Sequence, residues 1–258
     1  MKQIFLFYFF IYITNILGQK NQEVETYTLK YNVTQNDKHS SSFLTFKNNV
    51  GVYYSFRDKE DAKNIYSEIN TEKGVNHNIK INSKDTIYNI VKTNIISKEM
   101  LSTTNIFKDG QYQKYIVDEY CDNIQWKMIN ETKKIAGFNC KKAITRYKGR
   151  NYIVWYSEEI PTSIGPWKLH GLPGAILYAT DTENYIQISI AMLNLRSHDY
   201  MINYIFGDNL KKISCEKSLS LKKEQGREIA DKIQSKLPRG TQFNITNISN
   251  NWLEKDCN

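Results

Sequence analysis

Residues 165–174 read GPWKLHGLPG, so two prolines and three glycines punctuate a tryptophan and a histidine within one short stretch. Three of the chain's 4 prolines (Pro161, Pro166 and Pro173) fall in this neighbourhood. Proline fixes φ and removes a backbone donor, whereas glycine opens conformations closed to other residues. Alternating the two dictates a single loop path and excludes a floppy connector. A loop held rigid between strands is also where proteins concentrate function.

The flanking sequence has the two-residue period of such strands. Residues 24–33 are rich in tyrosine, threonine and valine, and 42–47 with 52–56 bracket Asn48-Asn49-Val50-Gly51 as a hairpin. Residues 86–96 and 111–120 continue the sheet. Residues 141–147 and 152–156 enclose Lys148-Gly149-Arg150, with glycine supplying the tight turn. Trp155 stands on the second of these strands, its neighbours Val154 and Tyr156 pointing to the opposite face. After the constrained loop come 175–180, a turn at 181–184, and 185–193. In that last run Ile186, Ile188, Ile190 and Met192 share one face, and Gln187 and Ser189 the other. Residues 58–74 are charged and lack β-branched runs, which suits a short helix or an excursion from the sheet; 72–85 read as loop.

One helix is predicted near the end. Ser220 caps it, Ile229, Ile233 and Leu237 share a face at four-residue spacing, and Pro238 and Gly240 stop it. Gly226 inside it costs about 1 kcal/mol relative to alanine, so the helix depends on packing against the sheet. The fold class expected is α+β, mostly β: a curved, half-barrel-like antiparallel sheet with a C-terminal helix packed on one face. An aromatic share of 13%, with 18 tyrosines, favours sheet over helical bundle.

Residues 1–18 read as a signal peptide, with Lys2 before an apolar run from Ile4 to Ile13 and a small residue at Gly18. The run is too short for a comfortable membrane span of about 20 residues. Residues 19–258 are then one β-rich domain without repeats or low-complexity linkers, exported to the periplasm, to the outer membrane or to the medium. No transmembrane segment follows signal cleavage. The net charge of +8 raises nucleic acid as a partner, but there is no block of like charges and no arginine stripe, so nucleic acid is set aside. The 4 cysteines suit two disulfides in an exported chain, and three connectivities are open. Pairing Cys121 with Cys140 and Cys215 with Cys257 closes loops between neighbouring segments. No CxxC or HxxxH spacing points to a metal, and no cofactor is implied.

The candidate ligand-binding residues are Arg150, Trp155, Trp167, His170 and Pro173. Aromatic rings beside a rigid loop suit an apolar or peptidic ligand; equally, they suit tryptophans that pin the loop to the sheet with Pro173 among them. Arg150 could fork onto a carboxylate or phosphate, or brace its hairpin by pairing with Glu158 or Glu159. No GxSxG or HExxH motif occurs, so no catalytic residue is assigned. A hydrolase would have to use His170, the one histidine in a constrained setting, with Asp181 or a glutamate.

The stretch from Trp126 to Asp181 resembles the GLPGLI family of exported bacterial proteins. It carries a tryptophan, an IxGxxCxKA segment, a GR turn, a W-Y-x-x-E-I-P strand end and GPWKxxGLPG, with Ala175 where leucine is usual. The resemblance implies export and a β-rich domain, and brings no established activity, cofactor or catalytic residue. By fold-level analogy the half-barrel shape resembles periplasmic lipoprotein carriers, whose concave sheet shelters acyl chains. The function expected is therefore non-enzymatic binding of an apolar or peptidic ligand, or of an envelope partner. The alternatives are the His170 hydrolase and a scaffold for an outer-membrane protein.

Overall fold

The computed structural model describes residues 26–56, 66–70, 76–80, 87–108, 111–194, 200–235 and 254–257. The segment read as a signal peptide and the predicted helix stop at Pro238 and Gly240 lie outside these residues. In chain order the strands are Tyr27–Gln35 (β1), Lys38–Lys47 (β2), Val50–Phe56 (β3), Tyr66–Asn70 (β4), Asn76–Lys80 (β5), Ile87–Asn94 (β6) and Glu99–Lys108 (β7). Then come Gln111–Tyr120 (β8), Lys127–Ile135 (β9), Phe138–Tyr147 (β10), Arg150–Ser157 (β11), Ala175–Asp181 (β12), Ile186–Asn194 (β13) and Lys211–Ser214 (β14). A helix, Cys215–Gln234 (α1), follows β14 directly.

Twelve strands form one sheet in the order β14-β8-β7-β6-β3-β2-β1-β13-β12-β11-β10-β9. Two meanders, β1 to β8 and β9 to β13, are sewn together where β1 runs antiparallel to β13. Among the described strands the one parallel pairing is β14 on β8, which a direct hairpin cannot make. The result is mostly β: a large open curved sheet that does not close into a barrel, with one C-terminal helix. The separate pair β4–β5 occupies the region read as helix or loop.

Tight turns set the register. Asn36 and Asp37, Ala136 and Gly137, and Lys148 and Gly149 all have positive φ, so each of these two-residue links turns with the twist of its strands. The predicted glycine turn at Gly149 is among them, at φ 76°.

Alternation then sorts side chains to the two faces. On β3, Tyr53 joins Tyr31, Leu44 and Met100 on the first face, while Val52 and Tyr54 join Ile90, Ile116 and Phe206 on the second. The first face is covered by the 158–174 loop and by α1, whose Leu221 packs with Ile106 and Val117. The second is covered in part by residues 200–210, which bring Phe206 against Val52. The helix starts earlier than the sequence indicates. Ser214, not Ser220, caps it: the Ser214 Oγ accepts a hydrogen bond from the Lys217 amide at 3.3 Å.

Cys215 and Cys257 are joined in a disulfide. The expected Cys121–Cys140 bond is not formed; both are free thiols within the main core. Each behaves there as a small apolar side chain, and burial pushes the Cys121 thiol up to about 11. No helix among the described residues is long and apolar enough to cross a membrane.

Candidate functional site

The constrained loop is laid flat on the first face of the sheet. Ile160, Ile164, Trp167, Leu169 and Leu172 are all buried in the main core. Its path is held by backbone bonds across the loop: the Gly165 amide donates to the Leu169 carbonyl at 2.8 Å and the Gly171 amide to the Ser163 carbonyl at 2.7 Å. Gly171 has φ 88°, and Trp167 adopts φ 55°, a conformation L residues rarely take. The face expected to shelter an apolar ligand is thus filled, in this region, by the loop's own side chains.

Each candidate residue can now be placed. Trp167 is buried between the rings of Tyr147 and Tyr152, with centroids 6.1 and 6.0 Å away. Pro173 stands at the rim of a groove described below. Trp155 points to the other face, as its buried neighbours Val154 and Tyr156 require, and is half-buried beneath the Lys133 ammonium, 4.2 Å from its ring centroid. The structure therefore does not gather these residues around one centre.

Arg150 pairs with neither Glu158 nor Glu159. Its Nη1 donates to Asp181 Oδ2 at 2.7 Å and to Glu183 Oε2 at 3.1 Å, and its guanidinium lies over the Tyr185 ring. Glu158 pairs instead with Lys141, and Glu159 accepts from Asn139. Arg150 and Asp181 are each buried, and Asp181 Oδ1 accepts from the Tyr185 and Ile186 amides. Asp181 thereby anchors the β12–β13 turn.

His170 is buried, with Nδ1 2.8 Å from the Lys168 carbonyl oxygen and Nε2 2.7 Å from that of Asp122. Its own carbonyl accepts from Trp126 Nε1. Both ring nitrogens face backbone oxygens, and Asp181 is engaged elsewhere, so the base–carboxylate pair required by the hydrolase alternative is not assembled.

Beneath the loop lies a charged cluster that local sequence patterns do not announce. Lys168 ion-pairs with both Glu119, from β8, and Glu254, from the C-terminal segment. Lys148 Nζ comes within 2.7 Å of Glu119 Oε2 and donates to the Cys257 carbonyl at 2.8 Å. Lys222 of α1 stands 4.0 Å from Glu254 Oε2. Burial alone would raise the Glu254 carboxyl, but Lys168, Lys222 and Lys148 outweigh it and hold the group down to about 2. Burial and the nearby Lys168 push Lys222 down, although Glu254 opposes the shift. The partners come from sequence-distant segments, which is why no spacing rule could find them.

At the rim of the sheet, the β2–β3 turn, the β6–β7 turn, the start and end of the loop, and Ile202 and Asn203 frame an open groove of about 820 Å³. Asn48, Asn49, Asn94, Ile96, Pro161 and Pro173 line much of it. Asn94 Oδ1 accepts from the Ile96 and Ser97 amides, which holds that turn in shape. Ile96 is exposed at 76%, a large apolar side chain left facing water. Among the described residues the lining contains no carboxylate and no imidazole. Among the described residues no group of three His, Cys, Asp or Glu side chains could hold a metal ion.

Comparisons with known proteins correct the resemblance drawn from the motif. Residues 51–205, which contain the whole of Trp126 to Asp181, match the model of the N-glycanase peptide, N-terminal domain family, and nothing supports membership of the GLPGLI family. The loop's glycines answer local geometry, which unrelated sheets can share. No curated protein matches the chain significantly. Two solved structures of PNGF-II, in space groups P21 and C2, superpose with TM-scores of 0.51 at 14% identity over 76% of this chain. The overlap takes in 33% and 32% of those structures, so the chain spans about a third of their length and the likeness is one of fold. The family match covers more than half of the 258 residues, and the chain belongs to the N-glycanase peptide, N-terminal domain family.

Proposed function

We propose that this chain is an exported, non-catalytic recognition domain that binds glycosylated polypeptide in the groove at the rim of its sheet. The single observation that carries the reading is the composition of that groove. Asparagine amides, two proline rings and an exposed isoleucine help to surround about 820 Å³, with no carboxylate or imidazole among the described lining residues. Amides donate to and accept from hydroxyl groups, while proline and isoleucine offer apolar surface to the carbon face of a sugar or to a peptide side chain. Lys47 is the one ionisable side chain among the described lining residues, so no pair of acid and base groups stands there. Membership of a family described as an N-glycanase N-terminal domain supports a glycan on a peptide as the ligand class. The disulfide supports an oxidising, extracytoplasmic location.

The test is calorimetric titration with a glycopeptide and with the same peptide freed of its glycan. The glycopeptide is expected to bind more tightly. Ile96→Glu, at an exposed position that leaves the core intact, should weaken that binding about tenfold. Equal affinity for the two peptides, or unchanged binding by the variant, would sink the assignment.

A further inference from the structure

The last described residues are gripped from three directions. Cys257 is bonded to Cys215 at the start of α1, and its carbonyl accepts from Lys148. The Lys255 amide donates to the Lys148 carbonyl, and Lys255 Nζ reaches Glu183 at 2.8 Å. Glu254 sits inside, paired with Lys168 at the centre of the constrained loop. A side chain at Gly149 would collide with Lys255, whose Cβ lies 2.6 Å from where the new Cβ would stand, so the segment is seated directly on the turn.

The charges make the loop dependent on this seat. With Glu254 in place, Lys148, Lys168 and Lys222 face two carboxylates, Glu119 and Glu254. Without it, three ammonium groups are left with Glu119 alone. Lys168 then shares Glu119 with two other buried cations, which is unfavourable, and carrying the loop towards water relieves it.

We propose that residues 254–257 are a strap whose hold on the 165–174 loop is controlled by the redox state of Cys215–Cys257. Opening the bond takes two electrons and two protons. A dithiol supplies them, closes into its own disulfide, and leaves the thiols of Cys215 and Cys257. Cys121 and Cys140 are already free thiols, so this is the only disulfide among the described residues for the reductant to open. The strap then loses its cross-link to α1, and only non-covalent contacts keep it seated on the loop. Glu254 leaves Lys168, and the loop that supplies Pro173 to the groove becomes more dynamic. The loop's order can be read without any ligand, so this inference stands or falls apart from the groove's assignment.

The experiment is amide hydrogen exchange on the full chain, oxidised and after treatment with dithiothreitol. In the reduced protein the Gly165, Leu169 and Gly171 amides should exchange about tenfold faster while β1 and β2 keep their rates. Glu254→Gln should speed the same amides with the disulfide intact. Unchanged loop amides on reduction, or equal acceleration of every element, overturns the strap. Failure of a folded Glu254→Gln protein to respond overturns the role of the carboxylate. The wild-type comparison decides the redox claim even where the variant does not fold.

Discussion

A Cβ added to Gly174 would lie 2.1 Å from the Ser157 carbonyl oxygen, closer than any two such atoms can stand. The last residue of the constrained loop is therefore pressed against the end of β11, and the glycine is there for contact. Its φ is not positive. Gly174→Ala must push two strand backbones apart, and overpacking of this kind costs about 1–3 kcal/mol or more. Gly137 offers the contrast: nothing lies within 4 Å of a new Cβ, so Gly137→Ala should cost only the strain of its φ of 90°, about 1–2 kcal/mol. Urea denaturation of the two variants checks the order. A smaller loss at Gly174 than at Gly137 would show that the close approach is not maintained in solution.

The two tryptophans should separate in the same assay. Trp167 is 7% exposed and lies between two tyrosine rings, so Trp167→Ala leaves a cavity and should cost about 3–5 kcal/mol. Trp155 is half-buried on the other face beneath the Lys133 and Lys142 ammonium groups, and Trp155→Ala should cost less, about 1–2 kcal/mol. Equal losses would contradict the burial that separates them.

Arg150 and Asp181 form a buried pair whose removal from one side strands a charge. Arg150→Ala should lower stability by about 3–5 kcal/mol. Arg150→Lys keeps the charge but loses the planar guanidinium that lies over the Tyr185 ring while Nη1 meets both carboxylates, so it should recover only part of the loss. Full recovery by lysine in thermal denaturation would mean that charge alone, without guanidinium geometry, holds the turn.

Tyr152 makes the opposite prediction. Its hydroxyl is buried and has no hydrogen-bond partner, and burial drives its phenol well above the ordinary range. A desolvated polar group without a partner opposes folding. Tyr152→Phe should leave stability unchanged or raise it by up to about 1 kcal/mol. A clear loss in denaturant midpoint would reveal a partner for that oxygen.

How far the sequence could be read depended on whether a residue's partners were local. The loop declared itself because Pro161, Pro166, Pro173 and the glycines constrain their own backbone. The strands of β10, β11 and β13 declared themselves by alternation, and the Lys148–Gly149 turn by its glycine. Strand β7 did not, because Ser102 and Thr104 occupy buried positions between Met100 and Ile106 and blur the apolar period. Strand β9 did not either: as the sheet's edge it is exposed along nearly its whole length, with no buried face to mark. The groove lining comes from four separate segments, and Glu119, Lys148, Lys168 and Glu254 meet only once the sheet is formed. Of the two disulfides expected, Cys215–Cys257 is present because the C-terminal segment returns to α1. Cys121 and Cys140 illustrate the opposite outcome, absorbed into the core as apolar side chains.

Acid should act on the fold through Glu254. Its carboxyl is lowered from an ordinary 4.5 to about 2, burial being outweighed by Lys168, Lys222 and Lys148; Glu119 is the other carboxylate in the cluster. A carboxyl lowered by folding contributes stability that is complete above its unfolded value and disappears as pH falls through its folded value. The window is therefore about pH 4.5 down to about 2, and the contribution lost across it is on the order of 2–3 kcal/mol. Glu254→Gln has no proton to gain there. It should be less stable than wild type at neutral pH, and the difference should shrink steadily as the pH is lowered through that range. Urea unfolding at closely spaced pH values, followed by circular dichroism with the disulfide intact, measures both curves. Parallel curves would show that the Glu254 carboxylate is not held by the lysines, and that the segment carrying it stands clear of the loop.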